Sequence, residues 1–361
     1  MSKGRNGENN GSKYKDEIFG GGGDFNPPDD RICIYDNIRF LLIVLTVVGH
    51  VIDLNTGQSK VFRSIFVWIY SFHMPLFLYL SGMFHTNRNI LAKVSGYVAI
   101  GLLWKIVYFL EKLLLTGKAS FSLLSDNGVP WYMFVLAMYI MISYGLRNMN
   151  KRFIMVFSIM VACFVGYDAA IGDYLYLSRA IVFYPFFVLG EMTDKDLLVT
   201  CVQNKWLKVL AFSVLAGWGL LCLLDLNHTY VLRPLFTGRN PFSVNEIFSK
   251  WGFAFRILCY IISLFGGFAV ICVTTNRRLP VITLFGGRTL QIYFWHYFVI
   301  AVLTRLQINT FFMESPVRRV LWLLCAVLLA VILGWKPFGF PAIQIMKACV
   351  PDRSDRVRRY Q

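Results

Sequence analysis

The residues best suited to chemistry stand on the first apolar segment. Arg39 and His50 are eleven positions apart, and Asp36 lies one turn ahead of them. At 100° per residue this spacing is about three turns with some 20° over, so both side chains share one helix face, about 16 Å apart along the axis. An imidazole has an unperturbed pKa near neutrality, which suits it to taking a proton from a hydroxyl. A guanidinium binds phosphate or steadies a developing negative charge. Each has a plainer reading when taken alone. Arg39 can snorkel at a membrane boundary, and His50 can bond a neighbouring helix. Ionisable groups within apolar spans usually mark function, and the pair on one stripe favours that reading.

Further candidates sit in later segments. His73 and His296 fall near the middle of apolar runs, where an interhelical hydrogen bond competes with a role at the substrate. Lys105 shares a run with Glu111, so a structural ion pair competes with donor binding. Arg179 opens a run and is placed to meet a polar or anionic acceptor. Trp131 and Tyr132 suit stacking on a sugar, or an interfacial aromatic belt. Arg88, Arg277 and Arg278 fall between runs and have the charge to receive phosphates. His85 ends its run and His228 lies in a loop, so both read as surface residues. Ser81 and Gly82 read as packing residues, and Pro75 should kink its helix at membrane depth.

The elements that must hold these groups are membrane spans. Of 361 residues, 57% are hydrophobic and 16% charged, whereas ordinary globular chains carry roughly a quarter charged residues. Apolar runs fall at about 37–53, 64–84, 94–115, 131–147, 153–168, 179–192, 207–224, 254–274, 282–304 and 318–339. The expectation is an all-α bundle of about ten transmembrane helices spanning residues 32–345. Lys and Arg gather in alternate connections, which places both termini on the cytoplasmic side. That bias also accounts for the net charge of +16, so nucleic acid is not expected as a partner. Residues 1–31 read as a disordered cytoplasmic tail and 346–361 as a basic one. The eight cysteines show no CxxC spacing, and neither a disulfide framework nor a metal site is expected.

Arg39 and His50 behind Asp36, followed by His-Met-Pro-Leu-Phe-Leu-Tyr-Leu-Ser-Gly-Met-Phe over residues 73–84, resemble the integral-membrane acyltransferase family 3. The likeness is greatest to the fucose O-acetylase type of sugar O-acetyltransferase. Val129–Phe134, Arg179–Gly190 and Gly286–His296 fit the same pattern more loosely, and the resemblance covers about residues 33–340. It implies a ten-span multi-pass protein of the cell membrane that moves an acyl group, commonly acetyl from acetyl-CoA, onto an envelope carbohydrate. It also implies that His50 and Arg39, with Asp36, carry catalysis. Some members have Arg-x-x-Arg in an internal loop. Here that spacing occurs only at Arg353, Arg356 and Arg359, while Arg277 and Arg278 are adjacent. A proton-coupled transporter or flippase is the alternative, since buried histidines and a proline-broken helix also suit carriers. A receptor or scaffold would leave the intramembrane histidines unmotivated.

Overall fold

A computed structural model of the chain describes residues 32–125 and 128–349. All regular secondary structure among them is helical. It comprises α1 (Ile34–Asp53), α2 (Lys60–Tyr70), α3 (His73–Met83), α4 (Ile90–Thr116), α5 (Trp131–Gly145) and α6 (Lys151–Phe164), followed by α7 (Leu177–Met192), α8 (Lys195–Gln203), α9 (Lys205–Leu224), α10 (Leu226–Val231) and α11 (Arg233–Phe236). The order closes with α12 (Glu246–Val273), α13 (Pro280–Gly286), α14 (Thr289–Arg305), α15 (Ile308–Met313), α16 (Pro316–Leu333) and α17 (Ala342–Cys349). The expected tail 1–31 and residues 351–361, with Arg353, Arg356 and Arg359, lie outside the described residues. The tail boundary expected at 346 falls within α17, whose Met346 and Cys349 pack over Gly96 of α4.

Six spans among the described residues are long and apolar enough to cross a membrane: Ile34–Asp53, Lys60–Met83, Tyr174–Met192, Lys205–Leu224, Glu246–Val273 and Pro316–Leu333. The other four expected spans coincide with α4, α5, α6 and α14, of which α5, α6 and α14 have fewer than the roughly 20 residues a perpendicular crossing needs. Burial ranks the six. The span of α1 is 78% buried, but that of α9 is only 11% and that of α16 22%. Trp206, Leu224 and Val317 are each more than 70% exposed. Such apolar sides are tolerable against lipid, so α9 and α16 stand at the periphery and α1 runs through the centre.

Pro75 breaks the second span rather than kinking it. A continuous helix would need the Pro75 N–H to satisfy the Ser71 carbonyl, and proline has none. The chain ends α2 at Tyr70 and restarts at His73, where Pro75 falls in a first turn whose N–H groups lack helical acceptors anyway. The stranded Ser71 carbonyl instead accepts the Ser263 hydroxyl from α12. Downstream, α3 crosses α7 with almost no space between backbones. A Cβ added at Gly82 would lie 1.9 Å from the Phe187 carbonyl oxygen, and one at Gly190 would lie 2.0 Å from that of Tyr79.

Contacts define the two ends of the bundle. At the Arg39 end, Asn37 donates to the carbonyls of Thr275 and Arg277, the Tyr35 hydroxyl donates to the Lys195 carbonyl, and Lys151 pairs with Glu191. At the other end, the 225–245 segment meets the close of α1 through the Arg233–Asp53 ion pair.

Candidate active site

The break between α2 and α3 also sets the first imidazole. Where His73 begins α3, its Nδ1 lies 2.9 Å from the Ile69 carbonyl oxygen four residues earlier. A carbonyl only accepts, so Nδ1 carries the hydrogen and a neutral ring has its lone pair on Nε2. The same device recurs on α14, where His296 Nδ1 sits 2.8 Å from the Ile292 carbonyl oxygen. Its Nε2 is buried without a hydrogen-bond partner among the described residues.

His50 lies between them. Its ring centre is 5.3 Å from that of His296, 5.6 Å from Tyr297 and 6.5 Å from Tyr70, and Tyr70 in turn meets His73 edge to face at 4.7 Å. Three histidines from three distant stretches of sequence thus form one aromatic-walled cluster.

The cluster borders a cavity of about 250 Å³. Thr46, His50 and Asp53 line it from α1, with Tyr70 and His73 beside them and Tyr293 opposite. Trp131, Arg179, Arg233, Arg239 and Asn240 form its outer part. There the Arg179 guanidinium lies over the Trp131 ring at 4.8 Å and forms an ion pair with Asp173 at 3.3 Å. Asp173 also faces Arg239 at 3.8 Å, and Arg233 holds Asp53 at 2.6 Å. Arginines paired with carboxylates offer donors and acceptors together beside an aromatic face, which is the inventory a polyhydroxylated ring requires.

The residues singled out from sequence divide accordingly. His50, His73, Trp131 and Arg179 meet in this cavity, and His296 lies directly behind His50. Arg39 shares the inward face of α1 and is 6% exposed, but it stands at the opposite end. There it pairs with Asp36 at 3.4 Å and lies over the Phe84 ring at 4.6 Å, a ring that Lys195 also approaches at 4.6 Å. Lys105 is away from the cavity, donating to the carbonyls of Ser122 and Ser125. Of the two readings of Lys105, the ion pair with Glu111 does not form, because Glu111 pairs with Arg305 of α14. Arg88, Arg277 and Arg278 are exposed beyond the Arg39 end. His228 is exposed as expected, but the His85 side chain is only 3% exposed, lying 3.9 Å from buried Glu191.

Sequence reasoning missed Asp53, Tyr70, Arg233, Arg239 and Asn240. Asp53 had a signal, since it follows His50 by three positions. The 225–245 residues had none, because only folding carries that segment onto the cavity.

These features define a class, a polytopic helical membrane protein with histidines around an internal polar cavity. The sequence profile of the acyltransferase domain family, acyltransferase family 3, matches residues 34–335. The chain therefore belongs to that family of acyltransferases. Nodulation protein NolL of Sinorhizobium fredii (strain NBRC 101917 / NGR234) is 26% identical over 296 residues, covering 73% of this chain and 77% of NolL. No solved structure matches the chain.

Proposed function

We propose that the protein transfers an acyl group, acetyl first among them, from acyl-CoA to a hydroxyl of a cell-envelope or exported carbohydrate. The observation that carries this reading is the His50 imidazole in a cavity walled by Trp131, Arg179, Arg233 and Asn240. Such a cavity has room for a small hydroxylated ring, and its polar groups match one. His50 takes the proton of the acceptor hydroxyl as that oxygen attacks the thioester carbonyl. The C–S bond then breaks and the departing sulfur recovers the proton from the imidazolium. The acceptor leaves as an ester, and the thiol form of CoA is released.

The donor is assigned to the Arg39 end, which places the protein in the cell membrane with that end in the cytoplasm. Support comes from charge: Arg88, Arg277 and Arg278 surround that end, and Lys151 and Lys195 join them. Basic residues collect on the cytoplasmic side of membrane proteins, and phosphates of a CoA donor need them. Arg39 then orients the donor, Asp36 holds Arg39, and no resident cofactor or metal is invoked.

Mass spectrometry of envelope glycans tests the reading. Cells with the protein should carry an acyl mass increment that cells without it lack. His50→Ala, inserted at the normal level, should lower transfer by a factor of about 10²–10⁴, the usual contribution of a general base. A His50→Ala protein that acylates at the original rate defeats the assignment of the base. Accumulation of an unmodified substrate would instead favour the carrier alternative.

A further inference from the structure

We propose that Asp53 is the positioning residue for His50, supplying the negative charge that steadies the imidazolium formed during transfer, and that Arg233 holds this carboxylate in place. The proposal rests on the acyltransfer reading above and adds a residue to it.

Asp53 and His50 are three positions apart on α1, so they are neighbours on its surface with roughly 5–6 Å between Cβ atoms. Both line the same cavity. The charged and titratable groups that meet His50 from the surrounding elements are Tyr70 from α2, His73 from α3, Arg179 from α7 and Tyr297 and His296 from α14. None of these is anionic. Arg179 opposes a second positive charge, and protonated imidazoles at His73 or His296 would do the same. Asp173, which pairs with Arg179 and Arg239, does not line the cavity, so Asp53 is the carboxylate that does. Asp53 therefore carries the nearest negative charge that a protonated His50 meets. At the edge of a protein cavity such a charge acts with less screening than in bulk solvent.

Arg233 fixes the carboxylate. Its Nη2 donates to Asp53 Oδ1 at 2.6 Å, and its guanidinium lies over the Phe66 ring at 4.9 Å. These contacts leave Asp53 at the cavity edge, 34% exposed in its side chain, with one oxygen toward Arg233. The 225–245 segment thus connects the cavity's cover to the base.

Purified enzyme with acetyl-CoA and an accepting glycan tests the arrangement. Asp53→Asn should lower kcat by about 10- to 100-fold, part of the full contribution of the base, and leave the KM for acetyl-CoA unchanged. The same substitution leaves Arg233 without its counter-charge, so the double variant D53N/R233Q is decisive. If the single variant is slow only because that arginine is stranded, the double variant regains rate and the proposal falls. If Asp53 serves His50, the double variant stays slow. Should D53N not fold, Asp53→Cys replaces it. An anionic methanethiosulfonate should restore turnover, a cationic one should not, and equal rates with both reagents would overturn the assignment. A dead His50→Ala enzyme beside a D53N enzyme of wild-type speed would sink this inference alone. An active His50→Ala enzyme would sink the underlying reading.

Discussion

His50, His73 and His296 show how much an imidazole's use depends on its second nitrogen. For His73 and His296 a backbone carbonyl four residues earlier fixes the hydrogen on Nδ1, so orientation and tautomer follow from helix geometry. Outside the spans, His85 is governed differently. Burial holds its pKa below the ordinary value, and Lys93 and Lys151 push the same way against the pull of Asn87 and Glu191. The unfolded chain therefore binds this proton more readily than the folded one. His85 leaves stability intact above the unfolded value of about 6.5, and stability falls as pH drops below it. In detergent, the unfolding midpoint of the wild type should fall more steeply between pH 7 and 5 than that of His85→Gln. Parallel curves would reject this account.

At the scale of elements, two backbone features position the site. The Pro75 break turns what hydropathy reads as one span into two helices and delivers His73 to the cavity. The crossing of α3 and α7 depends on Gly82 and Gly190, where even a Cβ would enter backbone space. Gly82→Leu should force these helices apart. Overpacking costs typically about 1–3 kcal/mol, and a backbone obstacle leaves little room to relax. The expected result is a lower unfolding midpoint together with lost transfer, because α7 also carries Arg179. An equally stable and active Gly82→Leu protein would show that the two helices pass with space to spare.

For the whole molecule, Arg39 and the cavity stand at opposite ends of α1. If the Arg39 end takes a cytoplasmic donor, as proposed, an even number of crossings would return the C-terminus to the same side. A fluorescent protein fused after Gln361 should fold and fluoresce, whereas alkaline phosphatase at the same point should stay inactive. An active phosphatase fusion would require an odd count and move the C-terminus to the other face.

Sequence alone settled the membrane class, because a chain with so much apolar surface has few other stable states. It also placed Arg39 and His50 on one stripe, since a helix repeats every 3.6 residues whatever surrounds it. Helix boundaries were less legible. The spans were read from hydropathy, which does not register the shortening of α5, α6 and α14, buried Glu111 in α4 or a helix restarted at His73. What tertiary structure decided was company. It paired Glu111 with Arg305 rather than Lys105, buried His85, set His296 behind His50, and carried Arg233 from 180 positions away onto Asp53. Those partnerships depend on how helices cross, and helical periodicity records only which face a residue occupies, never what that face meets.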